Sequence, residues 1–205
     1  MIEDLDYLEQ ATTDRNPDSF RDWYSDSPVT MTRDFCDIEE FEDHTTWAVS
    51  EFMERDCYRE PSYTDASIEQ RAEYMLDFHN NFSELSGYSN NLHFSENMPP
   101  NCMGAFNPVT KQIDLNANLL RDGNPEEVMK TIMHESRHAY QDFAVNHWEE
   151  GKVSVDEATV KIWKDNFAHY ISSEYDFEAY CNQPVEKDAN DFADRMYENG
   201  MYHSA

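Results

Sequence analysis

A helix that is apolar around most of its circumference must sit in the middle of whatever its chain folds into, and the residues from Asn124 to Phe143 describe one. Asn124-Pro125-Glu126-Glu127 opens it with an Asn cap, a proline at the first helical position and two acids in the first turn. Val128, Met129, Ile132, Met133, Ala139, Tyr140 and Phe143 then cover most of the cylinder. The strip they leave holds His134-Glu135-x-x-His138. Residues one turn apart project from one face with Cβ atoms about 6 Å apart, so these two imidazoles can share one metal ion. Glu135 lies about 100° round the same cylinder, within reach of a water on that ion without being a ligand. On a buried helix such groups have to be satisfied, and a shared metal satisfies them together. Gln141 lines the same face one turn below His138, and Arg137 flanks it, set to pair with a carboxylate.

A catalytic zinc takes three protein ligands and keeps its fourth position open. The spacing H-E-x-x-H-x-x-G-x-x-H does not supply the third, because Gln141 stands at the glycine position and Ala144 at the last histidine. His147 lies about 13 Å farther along the same helix than His138 and needs a break there to return. Glu186 is the better candidate. Pro184 suits the first position of a final helix whose buried stripe is Val185, Ala189, Phe192, Ala193 and Met196, which puts Glu186 in the first turn where it can point at the metal. Asp188 is the fallback.

His134-Glu135-x-x-His138 followed by Glu186-x-Asp188-Ala189-Asn190-x-Phe192-Ala193 resembles the gluzincin metallopeptidases, in particular the ImmA/IrrE-like group, over residues 103 to 198 at most. The resemblance implies a zincin-like α+β fold, mainly α, with a small sheet on the motif helix and an exposed edge strand that takes up an extended peptide. It implies Zn²⁺ held by His134, His138 and Glu186, with Glu135 taking a proton from the metal-bound water that attacks a peptide carbonyl and passing it to the leaving amine. A donor to the oxyanion would come from His169, Tyr170, Tyr175 or Tyr180, of which Tyr180 is put forward.

The other segments arrange themselves around that core. At 205 residues the chain suits one catalytic unit with an appendage, divided into an acidic, partly helical N-terminal region over 1–65 and a zincin-like core over 66–205. Residues 1–33 read as an irregular arm, and the stretch from Phe35 to Cys57 as two short helices, the second capped by Thr45 or Thr46. A firmer helix covers 67–86, with Ser67 and Gln70 as a capping box, Gly87 at its end and His79 on its apolar stripe as a core residue. Leu92-His93-Phe94 reads as a strand, and Met103–Phe106 with Gln112–Asn116 as a hairpin around the turn 107–111. A packing helix is expected from about Val155 to Ile171.

Charge narrows the partners. Lys and Arg number 15 against 43 Asp and Glu, a formal charge of −28, which argues against gripping nucleic acid or an anionic membrane and favours a basic protein or peptide substrate. The alternative is an acidic protein-binding or inhibitor module on a zincin scaffold, occupying a partner's basic face as a nucleic-acid mimic does. No run reaches the about 18 to 20 apolar residues needed to cross a bilayer. Met1-Ile2-Glu3-Asp4 lacks the basic start of a secretory signal, so a cytoplasmic location is expected. Cys36, Cys57, Cys102 and Cys181 are scattered without C-x-x-C spacing, which points to reduced thiols and leaves open a single Cys36 to Cys57 bridge.

Overall fold

The computed structural model describes residues 37–58, 62–86, 90–122 and 124–203. The expected arm over 1–33, Cys36 and the helix stop at Gly87 lie outside the described residues. Asp37 caps the first helix, α1 (Ile38–Met53), by accepting from the Glu39 and Glu40 amides. This helix runs unbroken through Thr45 and Thr46, where the sequence suggests a second start. The Thr45 hydroxyl donates back to the Phe41 carbonyl at 2.6 Å, and that of Thr46 turns to Met196 Sδ at 3.4 Å, so neither caps anything. One turn, α2 (Ser62–Asp65), precedes α3 (Ile68–Ser86), which opens on the expected capping box: Ser67 N–H donates to Gln70 Oε1 and Gln70 N–H to Ser67 Oγ.

Three strands follow, β1 (Asn91–Ser95), β2 (Gly104–Asn107) and β3 (Gln112–Asn116), in the spatial order β1-β3-β2. β2 and β3 form the expected antiparallel hairpin, while β1 runs parallel to β3 with Leu92 opposite Ile113. The Asn107 side chain accepts from the Val109 and Thr110 amides, and Lys111 closes the turn in the left-handed region at φ 58°. A short helix that periodicity does not suggest, α4 (Ala117–Asp122), starts where Asn116 Oδ1 accepts the Asn118 amide. Then come the motif helix α5 (Pro125–His147), a 3₁₀ turn (Trp148–Glu150) ended by left-handed Gly151, α6 (Glu157–Ala168), α7 (Phe177–Cys181) and α8 (Pro184–His203). The fold is thus α+β and mainly α.

α5 is the axis on which these elements meet. Phe41 of α1 stacks between Tyr140 of α5 at 4.8 Å and Phe192 of α8 at 5.3 Å, so α1, although drawn from the acidic front of the chain, shares one core with the motif helix. On the other side the sheet turns Leu92, Phe94, Ile113 and Leu115 inward. β2 lies so close to α5 that a Cβ at Gly104 would stand 2.9 Å from Thr131 Cγ2 and 3.0 Å from Glu135 Cγ. Only a residue without a side chain permits that approach. Lys111 in the hairpin turn pairs with Asp142 of α5, holding the hairpin onto the helix. Cys57 and Cys181 are free thiols, and the Cys102 thiol bonds the Gly104 carbonyl at 3.3 Å. Among the described residues no helix is long and apolar enough to cross a membrane.

Candidate metal centre

Helix α5 begins as the sequence suggests, with Asn124 Oδ1 accepting the Glu127 amide at 2.9 Å and Pro125 in the first turn. His134 and His138 therefore face one way, their Nε2 atoms 3.0 Å apart. Glu186 reaches them from the first turn of α8, its Oε2 lying 3.3 Å from His134 Nε2 and its Oε1 3.4 Å from His138 Nε2. One ligand atom from each of the three residues lies within 4.8 Å of the others.

The start of α8 is fixed by neighbours rather than by propensity alone. Asn166 of α6 accepts the Val185 amide with Oδ1 and donates its side-chain amide to Gln183 Oε1. Gln183 in turn bonds both the amide and the carbonyl of Ile171. The long segment between the two motifs thus clamps the turn that carries Glu186.

These residues fit a tetrahedral divalent ion. At metal–nitrogen distances of about 2.0 to 2.1 Å, the edge of a tetrahedral site is about 3.3 Å, close to the separations of 3.0, 3.3 and 3.4 Å seen here. Glu186 is 1% exposed, and among the described residues its Oε2 has no aligned hydrogen-bond donor. A buried carboxylate oxygen left this way is costly unless a cation satisfies it. Burial raises the Glu186 pKa, but the two imidazoles and the Tyr170 hydroxyl outweigh it and hold the carboxyl well below the usual range. For His138 burial acts downward, and Glu186, Glu135 and Gln141 together reverse it, up to about 9.

Glu135 stands beside these three residues and is 6% exposed. Burial raises its pKa; His134 and His138 oppose this, Glu186 reinforces it, and the Phe106 N–H of β2 is hydrogen-bonded to the carboxylate. Tyr170 donates to Glu186 Oε1 at 2.6 Å, with its phenol pushed strongly upward by burial and by the Glu186 charge. Tyr180, the donor put forward from sequence, packs edge-on against Tyr170 with ring centroids 6.1 Å apart and also faces the Glu186 carboxylate, its phenol raised by burial first. Tyr170 makes the short direct bond to the carboxylate.

The other candidates lie elsewhere. Tyr175 is 88% exposed, and His169 pairs with Asp165 at the surface. His147, at the end of α5, lies 3.3 Å from Glu150 and does not join the cluster, because the helix does not break before it. Asp188 does not serve as a ligand here: its carboxylate accepts two bonds from Arg137 and one from Gln141. Gly104 escapes a search for chemically reactive residues, although its missing side chain sets the approach of β2 to Glu135. No family model matches the chain, and no match was found among curated proteins or solved structures.

Proposed function

We propose that the chain is a zinc-dependent metallopeptidase of zincin-like fold and gluzincin type, related in motif to the ImmA/IrrE-like group. The observation that carries this reading is the convergence of His134, His138 and Glu186 on separations suited to a tetrahedral ion, with Glu135 next to them. Zn²⁺ bound there would act as a Lewis acid on the scissile carbonyl and on an attacking water. Glu135 takes the proton from the attacking water on its carboxylate and hands it to the departing amine. Its near-complete burial and raised pKa favour this return of the proton. The Phe106 N–H steadies that carboxylate, and the edge strand β2 offers backbone groups along which an extended peptide can pair, beside Glu135. Tyr170 commits its one hydroxyl proton to Glu186 Oε1, and Tyr180, packed edge-on against it, is the hydrogen-bond donor to charge developing on the substrate oxygen.

The net charge of −28 directs the choice of substrate towards basic peptides and proteins, met in the cytoplasm. It also favours a second reading, an acidic protein-binding module built on the same scaffold. Glu135→Gln separates the two. The variant should keep its metal and lose about 10²- to 10⁴-fold in the cleavage rate of a basic peptide. Cleavage at the wild-type rate would reject the assigned role of Glu135. Salt-sensitive binding of a basic protein by both forms, with cleavage by neither, would instead support the module.

A further inference from the structure

Arg137 and Gln141 are among the most thoroughly buried polar residues of the chain, 2% and 0% exposed, and neither belongs to the ligand set. Their contacts run in one line. Arg137 donates Nε to Asp188 Oδ2 at 2.8 Å and Nη2 to Asp188 Oδ1 at 3.0 Å. Gln141 Nε2 donates to Asp188 Oδ2 at 2.7 Å and to the Val185 carbonyl at 3.0 Å. Gln141 Oε1 lies 2.9 Å from His138 Nδ1.

The direction of each bond in this line is determined. Both neighbours of Gln141 Nε2 are acceptors, so turning the amide over would set its oxygen against a carboxylate and a carbonyl. The oxygen must therefore face His138, and His138 must donate from Nδ1, which leaves Nε2 as the atom it can offer a metal. Asp188 acts as a pure acceptor, because every side chain that meets its carboxylate is a donor, Arg137 through Nε and Nη2 and Gln141 through Nε2. Arg137 is itself held by the rings of Phe192 at 4.9 Å, Tyr140 at 5.3 Å and Trp163 at 5.6 Å.

We propose that Gln141, Asp188 and Arg137 form a positioning relay that holds the His138 ring in place and commits its Nδ1 proton to Gln141, so that Nε2 faces the metal. The relay rests on the metal-centre reading above. It assigns a role to the residues between and beside the two motifs: Arg137 and Gln141 on α5 grip Asp188 in the same turn of α8 that carries Glu186. The ligands from the two helices are thereby set relative to each other.

Two measurements test it. Gln141→Met keeps the length and shape of the side chain while removing its donor and acceptor. In a folded sample, judged by circular dichroism and a cooperative melt, it should bind Zn²⁺ about 10- to 100-fold more weakly than wild type in competition with a chromophoric chelator. In metal-free wild type, the His138 Nδ1 proton should give a slowly exchanging downfield resonance, correlated to its ring nitrogen, that is missing in Gln141→Met. An affinity within about twofold of wild type in the folded variant, or no protected Nδ1 proton in wild type, overturns the relay. Should wild type bind no zinc, the metal-centre reading fails, and the Nδ1 resonance alone decides whether His138 is held this way. Should Gln141→Met not fold, Asp188→Asn, which can still accept from Arg137, takes its place with the same expected loss.

Discussion

His79 and His138 are both withdrawn from water on helices with apolar stripes, yet they end on opposite sides of neutrality. His79 is fully buried in α3, its Nε2 3.3 Å from the Ser83 hydroxyl, and burial, only partly offset by Asn80, pushes it down to about 4. His138, 12% exposed at its side chain, feels the same downward push and is carried up to about 9 by Glu186, Glu135 and Gln141. The polar partners of His79, Ser83 and Asn80, come from its own helix, whereas the decisive partner of His138 arrives on another, α8. Burial alone neutralises a histidine, and a carboxylate delivered from a second element converts the same burial into a cation-binding arrangement.

The largest expected effect comes from removing that carboxylate. Glu186→Gln keeps the shape but takes away the charge, and zinc affinity should fall by more than the about 100-fold typical of losing an outer partner. In metal-free protein the His138 pKa, followed by NMR, should drop from about 9 towards the region occupied by His79. A His138 still titrating near 9 would break the comparison.

At the other pole, His79 makes stability depend on pH. Its folded pKa lies below the usual value of 6.5, so the unfolded chain binds the extra proton between them; stability is fully present above about pH 6.5 and is lost as the pH falls towards 4. The loss amounts to about 3 kcal/mol at most for a shift of this size. Urea titrations from pH 7 to 4 should show a clearly shallower decline for His79→Leu than for wild type. Identical slopes would mean that His79 does not carry the dependence.

A smaller effect separates the two regions from each other. Gly104→Ala adds a Cβ 2.8 Å from Leu115 Cδ2 and 3.0 Å from Glu135 Cγ, at a cost of about 1 to 3 kcal/mol for overpacking. The melting temperature and the peptide-cleavage rate should both fall while the His79-linked decline keeps its slope. An unchanged cleavage rate would show that β2 does not need to lie this close to Glu135.

Local signals explain why much of this was readable in advance. The Asn124-Pro125 start of α5, the Ser67–Gln70 box of α3 and the turn at Asn107 each satisfy backbone groups within a few residues, so the sequence states them directly. The same holds for the His134–His138 face. What stayed hidden depends on distant partners. The parallel pairing of β1 with β3 is a tertiary contact, and α1 continues past Thr45 because Phe41 and its neighbours are packed against Tyr140 and Phe192. Of the four aromatic or histidine residues before Glu186, sequence puts Tyr180 forward, whereas the path set by Gln183 and Ile171 brings Tyr170 to the carboxylate. Asp188, the fallback ligand in sequence, is engaged instead by Arg137 and Gln141, which occupy both its oxygens from another helix.

The central claim is that His134, His138 and Glu186 hold one metal ion. The most direct test is elemental analysis of the purified protein after exhaustive dialysis against metal-free buffer, alongside the His134→Ala, His138→Ala double variant. The account predicts about one zinc per chain in wild type, the complement of a single three-ligand site, and near none in the folded double variant. Wild-type protein that takes up no zinc even when supplied with it, or a double variant that retains the full complement, would contradict it.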